Sequence, residues 1–280
     1  MIQSAERRKA MRMKSAVAFL AAMVAFVSFG GESFGFASWN IGHFALGKKW
    51  YSTIPESEAP KKIVEYKAFL DKADFKVIGV CEHECFVGTN STFAVEKTIL
   101  ADCDGKAVES SGIGRLNALY WKGAQCVKTG TVKFENHSQH RYYRFARLMI
   151  DGREVCFVMT HLDWNHIKPG HEQDRASQIA KLVEDFKDEP YVVIGGDFNT
   201  CVYGNKVWRD APEEYEPFRK AGFSAAHWGE LKTWPAKAPV QSIDNIFAKG
   251  FKISDVRVHA DPSLSDHALI RCTLTFRWRN

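Results

Sequence analysis

Apolar positions along the chain gather into short runs divided by polar breaks. Phe34 to Ile41 and Phe75 to Cys81 read as strands, the second ending at Glu82. Between them, Pro60 to Lys72 opens with a proline, which the first turn of a helix tolerates. It carries the apolar residues Ile63, Val64, Phe69 and Leu70 at helical spacing, which predicts a helix. Leu116–Trp121, Val127–Phe134, Tyr143–Ile150 and Val155–Thr160 read as consecutive antiparallel strands. Asp151-Gly152 joins the last two and supplies the positive backbone angles of a tight hairpin. Glu172 to Phe186 is amphipathic, with Ile179, Leu182, Val183 and Phe186 inward, and Tyr191 to Ile194 is a short buried strand ending at Gly195-Gly196. Strands at 243–248, 253–259 and 268–276 close the chain. This order predicts an α/β (α+β) fold with two packed sheets and helices outside them.

Composition leaves that picture standing: 280 residues, 45% hydrophobic and 25% charged, describe an ordinary globular protein with ample surface to bury. Repeats, low-complexity tracts and linkers are absent after residue 34, so a single domain is expected over 31–280. Residues 1–30 read differently. Arg7, Arg8, Lys9, Arg12 and Lys14 precede an apolar run from Ala16 to Phe29, and Gly30, Gly31 and Ser33 follow, the order of a secretory signal peptide. The run is short for a bilayer span of about 20 residues. Export to a secreted or periplasmic location is therefore expected, with membrane anchoring only if the leader is kept.

Charge is altered by that leader. Without residues 1–30 the formal net charge falls from +5 to +1, because five basic residues and Glu6 leave together. Overall basicity is then no reason to expect a nucleic-acid partner, which would need a local basic patch. Seven cysteines leave at least one unpaired in a monomer, and zinc-like CxxC pairs are missing. Cys81, Cys156 and Cys272 lie in apolar runs and are expected as buried thiols, whereas Cys85 with Cys103 is a conceivable disulfide after export.

Polar motifs stand at the ends of these runs: Trp39-Asn40, Cys81-Glu82, Thr160-His161-Leu162-Asp163, Gly196-Asp197-Phe198-Asn199, Ile243-Asp244-Asn245 and Ser265-Asp266-His267. A carboxylate at a strand end, such as Glu82, suits Mg²⁺, which keeps several waters and needs only one or two protein carboxylates. Asn40 could support the same ion; His83 and Glu84 are competing ligands. Gly195 and Gly196 permit close backbone approach, aiming Asp197 and Asn199 into a cleft. Asp197 can polarise or deprotonate water, and Asn199 can donate to a phosphate oxygen without adding negative charge. His161 and His267 supply imidazoles. Asp244 is a candidate partner that would fix one of them in a single tautomer, leaving Asp266 for metal or water.

In this order and at these separations, the motifs resemble the endonuclease/exonuclease/phosphatase superfamily with its deoxyribonuclease I-like fold, over about residues 34 to 277. Arg141, entering Tyr142 to Leu148, resembles the family's phosphate-contacting arginine. The resemblance implies a four-layered sandwich, two packed mixed or antiparallel sheets flanked by helices, with the active site at one edge. It makes Glu82 the principal Mg²⁺ ligand, Mn²⁺ being a substitute, with Asn40 and Asp266 close to the metal. It also implies that Asp197 and Asn199 orient nucleophile and phosphate, that His161 contacts phosphate or helps the leaving group, and that His267, oriented by Asp244, is base or transition-state stabiliser.

These expectations define an exported, monomeric, divalent-metal-dependent hydrolase of a phosphodiester by in-line water attack, a nuclease or phosphodiesterase. Nucleic acid is one candidate substrate, and no membrane span remains after processing. Deoxyribonuclease I-like enzymes carry an arginine shortly after the metal glutamate, where this chain has His83-Glu84-Cys85, a departure that weakens duplex DNA as substrate. A phosphatase or phospholipase C-type hydrolase of a small or lipid phosphoester, such as an inositol phosphate or sphingomyelin, is the alternative. A non-catalytic binding protein on the same fold is the reading from another class, and the complete motif set argues against it. Trp164, Trp208, Trp228 and Trp234 are candidates to stack on a base or sugar.

Overall fold

The computed structural model describes residues 33–42, 57–83, 94–108, 117–135, 141–164, 173–204 and 207–277, with the backbone alone for 202–204 and 207–208. The leader, Glu84 and Cys85 lie outside the described residues, and Cys103 is a free thiol. Ser33–Arg277 forms one compact unit. The chain runs β1 (Ser33–Asn40), α1 (Ala59–Asp71), β2 (Val77–Cys81), a 3-10 turn (Val95–Lys97), β3 (Gly105–Ala107), β4 (Asn117–Trp121), β5 (Gln125–Lys133), β6 (Tyr142–Ile150) and β7 (Arg153–His161). It continues as α2 (Asp174–Phe186), β8 (Val192–Asp197), β9 (Cys201–Gly204), β10 (Val207–Asp210), a 3-10 turn (Pro212–Tyr215) and α3 (Glu216–Lys220). It ends with β11 (Ser224–Ala225), β12 (Asp244–Lys249), β13 (Phe251–His259) and β14 (Leu269–Phe276).

Two six-stranded sheets result, in the orders β13-β14-β1-β2-β4-β3 and β11-β12-β8-β7-β6-β5, with β9 and β10 as a separate hairpin. Side-chain alternation explains why strands that read as continuous apolar runs are buried on both faces. Phe34 and Phe36 of β1 enter the core between the sheets, together with Val77, Phe157, Met159, Val193, Ile246 and Ile270. Their neighbours Ala37 and Trp39 face the opposite way, under α1 with Tyr66, Phe69 and Leu70. On the far sheet, Val158, Ile194 and Phe247 pack beneath Ile179 and Leu182 of α2 and Phe218 of α3. The layers are therefore helix, sheet, sheet, helix: the expected four-layered sandwich.

Several local expectations change. Although apolar, Val64 is 66% exposed, and Tyr66 takes an inward place, because residues two apart on a helix diverge by about 200°. Val183 is only partly buried. β4 and β5 are not partners: β4 pairs with β2 and β3, whereas β5 pairs with β6, so the chain crosses between sheets at Lys122–Ala124. Both sheets offer apolar faces to one core, so strand pattern alone cannot assign a strand to its sheet. The hairpin at Asp151-Gly152 forms as expected, both residues having positive φ (48° and 68°) between paired Ile150 and Arg153.

β8 also runs beyond the glycine pair, through Gly195 and Gly196 to Asp197. A side chain at Gly195 would press on Phe36 and Ser38 of the opposing sheet, and one at Gly196 would run into the Thr160 carbonyl of β7. Gly195 therefore lets the two sheets approach and Gly196 lets β8 lie close against β7, and neither ends the strand. Among the described residues, no helix is long and apolar enough to cross a membrane. Gly196→Ala is expected to cost about 3 kcal/mol, since the clash is with backbone that cannot rotate away. Urea denaturation checks this, and a midpoint equal to wild type would refute it.

Candidate active site

Strand direction delivers the polar motifs to one edge. β1 and β2 run parallel with Asn40 opposite Cys81, so Asn40 and the following Glu82 leave the first sheet together. β7 and β8 run parallel with His161 opposite Asp197. β12 is antiparallel to β8, and its first residue, Asp244, is the register partner of Asp197. His267 precedes β14, whose antiparallel pairing with β1 returns it beside Asn40. Strand ends and strand starts from both sheets thus meet where the core gives way to solvent.

Hydrogen bonds tie the two sheets together there. Asn40 Nδ2 donates to Glu82 Oε1 (3.2 Å) and to Asp197 Oδ2 (3.0 Å), while Asn40 Oδ1 accepts from Gly42 N (3.0 Å). The Gly42 bond assigns the amide orientation. Asn40 therefore presents its donor, not its oxygen, to the carboxylates. His267 Nδ1 and Asp244 Oδ2 are 2.9 Å apart, and His267 Nε2 lies 3.7 Å from Asp197 Oδ2. His161 Nε2 lies 3.4 Å from Asp197 Oδ2, and its Nδ1 3.8 Å from Glu82 Oε1. Asn199 has positive φ (50°); its backbone N–H donates to Asp197 Oδ1 (3.0 Å) and its amide to Leu162 O (3.0 Å). One amide hydrogen of Asn199 is thus committed to the fold.

Electrostatics follow from burial. Asp197 is raised to about 7, first by burial and then by facing Asp244. Burial alone would lower His267, but Asp244 and Asp197 outweigh it and lift the imidazole to about 10. Its protonated form therefore dominates at neutral pH. Arg141, at the mouth of β6, is lowered by burial against the pull of Asp197, Asp163 and Glu82, and stays cationic. Its Nε is buried without a protein partner, as a donor awaiting an anion would be.

The donor set fits a divalent cation. Glu82, Asp197, Asp244 and Asp266 gather beside Arg141 and protonated His267, so carboxylates outnumber the cations, and hard oxygens are what Mg²⁺ or Mn²⁺ prefers. Ligating atoms of Asp197, Asp244 and His267 lie within 4.8 Å of one another. His267 Nδ1 and Asp244 Oδ2 are already bonded to each other, however, so this trio is better suited to an ion pair than to a cage. Glu82 and Asp266, both lining the cavity, are the better candidates to hold such an ion. His83, a competing candidate in the sequence, is fully buried with its Nε2 on Tyr120 Oη.

Neighbouring side chains hold these groups in place; Trp39 and Ser265 belong to the motifs read from the sequence, whereas Thr233 had no sequence signal. Thr233 Oγ1 donates to Asp244 Oδ2 (2.7 Å), Ser265 Oγ donates to Asn40 O (2.7 Å) and accepts from His267 N (3.0 Å), and Trp39 Nε1 donates to His267 O (3.1 Å). A bridge between Trp234 and Gln241 brings Thr233 beside Asp244. The cavity, about 420 Å³, is lined on its polar side by Glu82, Arg141, His161, Asp197, Asn199 and His267. Trp164, Trp234 and Ile243 form an apolar wall; Trp164 is 42% exposed, and Trp234 Nε1 donates to Asp266 Oδ2 (3.2 Å). Trp228 instead packs near Phe247 under the Arg219 guanidinium, in the helix layer, and is no stacking residue.

Comparison with known proteins agrees with this geometry. The model of the Endonuclease/Exonuclease/phosphatase family matches residues 37–267. Among solved structures, the fold is similar to humanized D. rerio TDP2, with TM-score 0.63 and 17% identity over 86% of this chain and 98% of that one. It is also similar to D. rerio TDP2 complexed with single strand DNA product, with TM-score 0.62 and 16% identity over 87% and 99%. The mannosyl-6-phosphatase of Bacteroides thetaiotaomicron gives TM-score 0.60 and 16% identity over 87% and 100%. At such identities the likeness concerns the fold alone. No curated protein matches the sequence significantly. With a family model matched from residue 37 to residue 267 and the motifs gathered at one edge of a four-layered sandwich, the chain belongs to the endonuclease/exonuclease/phosphatase family.

Proposed function

We propose that the protein is a divalent-metal-dependent phosphoesterase that hydrolyses a phosphodiester by in-line attack of water. One observation carries this reading: the His267–Asp244 pair, 2.9 Å apart, faces Asp197 in the same cavity that holds Glu82, His161 and Arg141. Glu82 and Asp266 would hold Mg²⁺, with Mn²⁺ as a substitute, and Asn40 would steady the Glu82 carboxylate. When bound, the ion supplies Lewis-acid stabilisation of charge on the phosphoryl oxygens.

The chain's own groups divide the remaining work. Asp197, with its proton affinity raised to about 7, accepts the proton of the attacking water. His267, lifted to about 10, acts as a fixed cation donating to a phosphoryl oxygen rather than as a base. Asp244 keeps that imidazole in one tautomer. Arg141 and the remaining amide hydrogen of Asn199 bind phosphate, and His161 assists the leaving oxygen or contacts phosphate.

A compact phosphomonoester is the second reading. Arg141 is the single Arg or Lys lining the cavity among the described residues, and the apolar wall of Trp164, Trp234 and Ile243 suits one ring or chain better than a polyanion. A purified protein assayed with Mg²⁺ against plasmid DNA, RNA, a generic phosphodiester and a phosphomonoester panel separates the two. EDTA is expected to abolish turnover. Asp197→Asn and His161→Ala are each expected to lower kcat by about 10²–10⁴-fold; unchanged rates would sink the mechanism. Export, read from residues 1–30, is part of the proposal, and N-terminal sequencing of cell-free protein should begin near residue 31.

Asp244 also links the site to stability. The folded value of His267 lies above its ordinary 6.5, at about 10. Its stabilising contribution is therefore complete below about pH 6.5 and lost as pH rises towards 10. Melting temperature in EDTA should fall across that window, and Asp244→Asn should flatten the fall. Equal slopes in the two proteins would contradict the ion pair.

A further inference from the structure

Glu82 has a left-handed backbone (φ 54°), an unfavourable conformation for a residue with a side chain, and something must hold it there. β2 ends one residue earlier, where the Cys81 carbonyl accepts from Ile41 N (3.0 Å) and Cys81 pairs with Asn117 of β4. The left-handed step turns the chain so that Glu82 looks into the cavity while His83 folds onto the outer face of the first sheet. His83 is fully buried there. Its Nε2 lies 2.5 Å from Tyr120 Oη and 3.9 Å from Glu96 Oε2, and its ring tilts 30° to the Tyr120 ring at 5.7 Å. Tyr120 is fixed by β4 pairing with Ile78 of β2 and Lys106 of β3. Glu96 belongs to the 3-10 turn whose Val95 enters the same helix-side core.

We infer that His83 is a positioning residue for Glu82: held by Tyr120 and flanked by Glu96, it pins the left-handed turn that aims the Glu82 carboxylate at the metal position. The inference rests on Glu82 being a metal-holding group, as proposed above. Two consecutive side chains thus divide the labour, one facing the cavity and the other anchored on the opposite side of the sheet. Removing the imidazole would leave the Tyr120 hydroxyl without this partner and let the strained backbone relax, so that the carboxylate no longer sits beside Asn40 and His161. A glutamine at 83 can place its amide nitrogen where Nε2 now lies, which makes it the conservative replacement.

The test is Mn²⁺ binding by isothermal titration calorimetry on the full-length protein, with melting curves to establish folding. His83→Ala is expected to weaken Mn²⁺ binding by about 10–100-fold, Tyr120→Phe to weaken it less, and His83→Gln to recover much of the loss. In turnover, kcat should fall while KM for the phosphoester stays near wild type. A purely structural role would lower the melting temperature without moving the affinity of the folded protein. Folded His83→Ala with wild-type affinity overturns the inference. If His83→Ala does not fold, Tyr120→Phe decides, since unchanged affinity overturns and weakened affinity supports it. Glu82→Gln separates the two levels: wild-type affinity there defeats the metal assignment itself, whereas a loss there with none in His83→Ala and Tyr120→Phe defeats only the positioning role.

Discussion

Asp197 and Asp244 are register partners on adjacent antiparallel strands, both buried, and two like charges so placed repel each other. His267 lies against both, with one ring nitrogen 2.9 Å from Asp244 and the other 3.7 Å from Asp197. That imidazolium is the constraint around which the edge is organised. It lets the second sheet end in carboxylates, and it ties the turn before β14 to β12. With Asn40 reaching across to Asp197, it also fastens the two sheets at the point where their apolar core stops.

The same arrangement divides protonation states between neighbours. Burial and a facing carboxylate raise Asp197, while two carboxylates raise His267 despite burial. A carboxylate of raised proton affinity and a cationic imidazole then stand a few ångströms apart, the separation of roles that the proposed hydrolysis uses. On the proposed reading the metal completes the charge balance beside Glu82, and His83 behind it turns a strained backbone step into a fixed carboxylate direction. The indoles of Trp164 and Trp234 and the side chain of Ile243 line the same cavity as these polar groups, with Trp234 bonded directly to Asp266.

Much of the fold was legible because its strands have distinct local signals. Asp151-Gly152 can hardly be anything but a tight turn, and the apolar runs of β1, β2 and β8 mark sheet interiors. Other features depended on partners far along the chain. Gly195-Gly196 reads as the end of a strand until the opposing Phe36 and the Thr160 carbonyl explain why a strand interior must be bare there. Val64 is apolar but faces solvent, since helix phase is set by what α1 packs on. The passage from β4 to β5 changes sheets because both sheets bury their faces in the same core.

For the site, the sequence by itself determined the inventory: carboxylates, amides and imidazoles at the ends of apolar runs, in an order that resembles one superfamily. Their identities are local chemistry and need no partner to be read. Tertiary structure alone decided their relations. Strand direction and register brought Asp244 opposite Asp197 and His161 beside it, a hairpin brought Thr233 to Asp244, and the turn after β2 sent Glu82 into the cavity and His83 onto Tyr120. Direction, register and the side to which a residue points arise from contacts between segments distant in sequence, and no single segment carries that information.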